Sequence, residues 1–86
     1  MEIRYLRYFV TIVREGNFTQ AAERLHMAQL PLSRQIQPLE ASLDVQLRER
    51  RSRPMQLTDA WRLFYKHALH ILDRIEVLTI MTKRVG

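Results

Sequence analysis

The chain has 86 residues, enough for one small domain with one modest core, and its 47% hydrophobic content excludes a disordered chain. There is no cysteine, which excludes disulfides and thiolate metal sites. The opening Met1-Glu2-Ile3-Arg4-Tyr5 does not lead into the apolar run of a signal peptide, and no stretch approaches the roughly 20 apolar residues of a membrane span, so the chain reads as soluble and cytoplasmic. Fourteen Lys+Arg against nine Asp+Glu leave a net charge of +5, and twelve of the fourteen bases are arginine, whose planar donor fork suits phosphates and guanine edges. That balance by itself fits nucleic acid, an anionic membrane surface or acidic proteins.

The first predicted helix spans residues 3–15, where Leu6, Phe9, Val10 and Val13 form one apolar face and Gly16-Asn17 ends the run. A short second helix, with Thr19 as its expected N-cap, runs to about Leu25 and turns Ala21, Ala22 and Leu25 inward. The small alanines allow close approach by a crossing helix. His26-Met27-Ala28 forms a tight connection, and a third helix follows over residues 29–43. On it Leu32, Ile36, Leu39 and Leu43 make a core face, while Leu30, Ser33, Arg34 and Gln37 form a second face centred about 140° away at roughly 100° per residue. Pro31 is harmless in the first turn. Pro38 lies inside the helix, and because Leu39 and Leu43 continue the apolar face we expect it to kink the helix and not to end it.

Then the period changes. Val45 and Leu47 alternate with Gln46 and Arg48, and Met55 and Leu57 alternate with Gln56, which predicts two short strands joined by the basic tip Arg48-Glu49-Arg50-Arg51-Ser52-Arg53-Pro54. Thr58 is expected to cap a last helix reaching about Lys83, roughly 39 Å at about 1.5 Å per residue. Its residues Trp61, Phe64, Ala68, Ile71, Ile75, Leu78 and Thr82 step by 3 and 4 as a heptad seam. The preceding residues can cover only the first part of that seam. The remainder calls for another chain, and homodimerisation through Trp61, Phe64, Ala68, Ile71, Ile75 and Leu78 is the favoured reading. Acidic Asp73 and Glu76 on the polar face of the helix argue against a membrane-surface role.

A short helix, a tight turn and a helix with a polar outer face form the helix-turn-helix pattern, and the flanking strands make it a winged one. A helix entering a major groove about 12 Å wide must present donors and acceptors on its exposed face. Arg34 can reach a guanine edge or a phosphate, Gln37 can pair with adenine, and Ser33 suits a phosphate or a close base contact. The bland alternative for this face is an ordinary solvated helix surface, and for the wing a soluble hairpin. Four arginines in six residues weigh against the second, because like charges crowded at a tip repel unless an anion meets them. His67 and His70 could begin a metal site, but no third ligand is near in sequence, and surface or interface histidines are the better reading. No catalytic constellation is visible, and two glycines cannot build a phosphate-cradling loop. The chain therefore reads as a non-enzyme without cofactor or metal.

Four runs carry a resemblance: Leu6-Arg7-Tyr8-Phe9-Val10, Phe18-Thr19-Gln20-Ala21-Ala22, Pro31-Leu32-Ser33-Arg34-Gln35-Ile36 with Leu39-Glu40, and Arg53-Pro54 with Leu57-Thr58. In order and spacing they resemble the LysR-type transcriptional regulators, and the opening and the Met81-Thr82-Lys83-Arg84 end look most like the activators of aromatic-degradation operons that respond to benzoate and muconate. The resemblance implies a mainly α fold, with a winged helix-turn-helix over residues 1–58 and a linker and dimerisation helix over 59–86. It implies a homodimer, often a dimer of dimers, on double-stranded DNA carrying an interrupted inverted repeat. Contacts would come from Gln29, Pro31, Ser33 and Arg34 in the major groove and from Arg53 of the wing in the minor groove. Thr19, Leu30, Gln37, Arg50 and Arg51 complete the expected DNA-facing set. A small-molecule inducer would bind an effector domain beyond these residues. The rival function is an interaction module whose basic helices bind an acidic protein. Departures from the family pattern are Leu30 in place of a second proline, Asp44 and Trp61 in place of glycines, Arg48 in place of a large apolar residue, and Pro38. They predict altered packing at Trp61 and a less stable fold.

Overall fold

The first helix, α1 (Ile3–Glu15), ends where Gly16 takes a left-handed conformation at φ 82° and donates its N–H to the Ile12 carbonyl at 2.9 Å. The computed structural model describes residues 1–43 and 57–86. Helix α2 (Phe18–Arg24) begins one residue after the turn. Asn17 is its N-cap, not Thr19 as the sequence suggested: Asn17 is extended, and its side-chain oxygen accepts the Gln20 N–H at 2.8 Å. The left-handed turn at Gly16 makes Asn17 the first extended residue, so the helix starts two positions earlier than a Thr19 cap would allow. Phe18 thereby enters the core, which the sequence reading had not foreseen.

The exit from α2 is a Schellman arrangement. Met27 N–H donates to the Ala22 carbonyl at 2.9 Å and His26 N–H to the Glu23 carbonyl at 3.1 Å, with His26 left-handed at φ 55°. This is the expected tight connection, and it directs the chain into α3 (Gln29–Leu43). Helix α3 passes through Pro38 without ending. The proline faces solvent, whereas Ile36 and Leu39 on either side are fully buried. Burial of such side chains, at about 1.5–3 kcal/mol each, offsets the roughly 3 kcal/mol cost of an interior proline. The Ser42 hydroxyl also donates to the Pro38 carbonyl at 2.9 Å.

The last helix, α4 (Asp59–Val85), starts as expected at Thr58, whose hydroxyl accepts the Trp61 N–H at 3.2 Å. Asp59 in its first turn and Lys83 and Arg84 in its last complement the helix dipole. Helix α1 touches each of the other three helices, and α4 packs chiefly on α1. That explains two departures from a single-stripe reading of α1. Its buried arc is wide enough to enclose Ile12 completely, and Val13, expected in the core, is half-buried at its margin.

Trp61, which stands where the family pattern has glycine, stacks on Phe9 at 5.1 Å between ring centroids, and Phe64 meets both rings edge-on at 5.1 and 5.4 Å. The substitution adds to the core and leaves it intact. Among the described residues no polar or charged side chain is fully buried, and no helix is long and apolar enough to cross a membrane. The predicted wing strands, together with Asp44 and Arg48, lie outside the described residues, apart from Leu57, which packs against the core.

Candidate nucleic-acid interface

Leu32, Ile36 and Leu39 anchor α3 on the body, so the opposite side is forced outward. Gln29, Leu30, Pro31, Arg34 and Gln37 are exposed there, and Ser33 is half-buried between the two faces. The polar face read from the sequence therefore exists as a surface. Leu30 is 59% exposed beside it, an apolar side chain of the kind that meets a thymine methyl.

The first turn of α3 has backbone N–H groups that point away from any acceptor within the helix, and the Leu32 N–H is the one that reaches the Ala28 carbonyl, at 3.3 Å. Free N–H groups and the positive end of the helix dipole together favour an anion at this end. Arg34, one turn further along, adds a full positive charge on the same side.

Thr19 lies in the first turn of α2, and its hydroxyl donates to the side-chain carbonyl oxygen of Gln29 at 3.0 Å. This contact joins the start of α2 to the start of α3 across the turn. The sequence reading named both residues but gave no sign that they were linked, because residues ten apart meet only once the turn is folded. Arg50, Arg51 and Arg53 lie outside the described residues.

The heptad seam of α4 is divided by the structure. Trp61 and Ala68 are each 2% exposed inside the chain's own core, and Phe64 is half-buried against Phe9, so these three are taken up by the monomer. Ile71 at 46% and Leu78 at 66% are exposed, with Leu63 and Met81 on the same side. Ile75 is half-buried and lines an open groove of about 560 Å³ between α1 and α4. Arg7 and Arg14 stand on one wall of that groove and Asp73 and Glu76 on the other. The sequence offered a signal for this groove, the acidic residues of α4, but nothing that paired them with α1.

His67 and His70 face each other edge-to-face at 6.2 Å. Among the described residues no group of three side chains could hold a metal ion.

The family described as "Bacterial regulatory helix-turn-helix protein, lysR family" matches residues 3–60. The probable cat1 operon transcriptional activator of Acinetobacter lwoffii is 55% identical over 86 residues, covering 100% of this chain and 28% of its own length. The transcriptional regulator BenM of Acinetobacter baylyi is 51% identical over the same 86 residues, again 28% of its length. The chain thus spans 28% of these curated relatives. Among solved structures, a BenM_DBD complex with benA site 1 DNA superposes with a TM-score of 0.91 at 50% identity, covering 100% of both chains. Full-length BenM superposes with a TM-score of 0.87 at 51% identity over 96% of this chain and 27% of its own.

Proposed function

The chain belongs to the lysR family of bacterial regulatory helix-turn-helix proteins, and from that membership we propose that it binds operator DNA, as a homodimer on an interrupted inverted repeat. The observation that carries this reading is the α3 surface: Arg34 and Gln37 exposed on the side away from a fully buried apolar face, with Gln29 exposed at the helix N-terminus. Such a helix can lie in a major groove while its other side stays packed. Arg34 reads a base edge, Ser33 meets a phosphate, and Arg50, Arg51 and Arg53 carry the wing's contacts with the backbone and the minor groove.

The exposed apolar side of α4 at Ile71 and Leu78 joins two copies, with dimers of dimers as the higher assembly. Ile75, and the outer edge of Phe64, border that contact. The protein acts in the cytoplasm. The operon it controls is one for degrading an aromatic compound, in keeping with the relative named for the cat1 operon. The inducer is recognised by the effector portion that the family implies beyond these residues.

Selection of bound sequences from a random duplex pool tests the proposal. Enrichment of two inverted half-sites is the expected result. Enrichment of nothing, together with capture of an acidic protein, would favour the interaction-module reading instead.

A further inference from the structure

We propose that the α4 contact between two copies is closed by a hydrogen bond from Arg74 of one copy to the neutral His67 imidazole of the other, so that dimer formation depends on pH. The inference deepens the homodimer reading above and rests on it.

The exposed side of α4 has a spacing that reads the same in both directions. Leu63, His67, Arg74 and Leu78 are separated by 4, 7 and 4 residues, and Ala60 and Met81 extend the series by 3 at either end. At roughly 100° per residue all six fall within about 60° of arc, and all six are exposed. The inner four run apolar, polar, polar, apolar. Trp61 and Ala68 lie on the packed side of the helix, which leaves this stripe open.

A second copy is the surface that matches such a stripe. Running the opposite way, about a centre between His70 and Ile71, it sets Leu78 against Leu63 and Arg74 against His67 at both ends. Running the same way, it sets Arg74 against Arg74 and leaves both guanidinium groups without an acceptor. A guanidinium keeps its charge and only donates, so covering it without an acceptor is costly. A neutral imidazole has one ring nitrogen that accepts. Within one chain the two residues stand about 10.5 Å apart along the axis, and no hydrogen bond joins them.

The proton decides whether the pair forms. A protonated imidazole has no acceptor and sets a second positive charge against the guanidinium. The dimer thus holds fewer protons than two free chains, and falling pH favours the free chains. Among the described residues no acid stands beside His67 to reverse that sign. The open groove of about 320 Å³ next to it is walled by Leu43 of α3 and by apolar residues of α4. The His70 ring is 6.2 Å away, with Lys66 and Arg74 one turn to either side of it. Asp73 and Glu76 face Arg7 and Arg14 of α1 across the other groove.

Sedimentation equilibrium of the whole chain at pH 8 and pH 5.5 tests this, with circular dichroism as the measure of folding at each pH. The wild-type dimer Kd should rise roughly a hundredfold at pH 5.5, about tenfold from each of the two imidazoles. His67→Gln keeps an acceptor and cannot take up the proton, so its Kd should be the same at both pH values. His70→Gln should keep the wild-type dependence. Arg74→Glu should invert it, because a carboxylate opposite His67 favours the protonated imidazole and tightens the dimer at pH 5.5. The double variant His67→Gln, Arg74→Glu should lose that inversion. Tightening at low pH has the opposite sign to acid unfolding, so the inversion separates the two. A wild-type Kd that ignores pH, a dependence that survives His67→Gln or follows His70, or an inversion that is missing or outlives His67 would each overturn the proposal. A wild-type chain that is monomeric at both pH values, or a dimer indifferent to Ile71→Asp with Leu78→Asp, would instead refute the α4 dimer itself.

Discussion

The two halves of α4 carry one continuous heptad pattern and do different work. In the first half Trp61 and Ala68 complete the monomer core against Phe9 and the rest of α1. In the second half Ile71 and Leu78 hold the same kind of side chain at the same kind of spacing and stand in solvent. Periodicity marks which side of a helix is apolar. It does not say whether the surface covering that side belongs to the same chain or to another, because both coverings bury the same area and both remove it from water.

Truncating the first half should have the larger effect on folding. Trp61→Ala removes a side chain 2% exposed and stacked on Phe9, and should cost about 3–5 kcal/mol, enough to unfold much of the chain at room temperature. Thermal denaturation checks it, and a loss under about 1 kcal/mol would show that α4 is not integral to the core. The second half should respond in assembly instead. The double variant Ile71→Asp, Leu78→Asp places charge on two exposed sites, so sedimentation should give a folded monomer, with a Tm lowered only by the lost dimer contact and no longer dependent on concentration. A dimer that survives both changes would place the contact elsewhere on the surface.

Helix α3 offers a parallel contrast between packing and reading. Pro38→Ala restores a backbone donor on the solvent side and should stabilise the fold by up to about 3 kcal/mol, raising Tm without altering operator preference. Arg34→Ala, one turn earlier, should leave Tm alone and weaken the best operator by about 1–3 kcal/mol while relaxing one position. Equal weakening on operator and scrambled duplex would make Arg34 a backbone clamp only. The smallest effect expected is at the start of α2. Asn17→Ala removes the cap oxygen 2.8 Å from the Gln20 N–H and should cost about 1 kcal/mol, read by urea denaturation.

Much of this architecture was legible in residue order. Spacing located α1 and α3, and Gly16 and Thr58 marked boundaries that the structure keeps. The outward face of α3 followed from the apolar positions alone, since burying Leu32, Ile36 and Leu39 leaves Leu30, Arg34 and Gln37 outside, whereas Gln29 was indicated by the family resemblance only. Asn17 and Thr19 show where such reading stops. Both are good capping residues, two positions apart, and propensity does not separate them. The left-handed turn at Gly16 does, by fixing which residue is first extended.

The sequence by itself thus determined the helices α1, α3 and α4, the apolar face of α3, the basic character of the chain and the family it resembles, because these depend on residue type and on periods that repeat within a single segment. Only the tertiary structure decided that Trp61 and Ala68 belong to the core and not to a partner, that Ile12 and Phe18 are enclosed, and that the Thr19 hydroxyl holds Gln29. Each of those depends on the distance between atoms on different helices, and no local period encodes where one helix comes to rest against another.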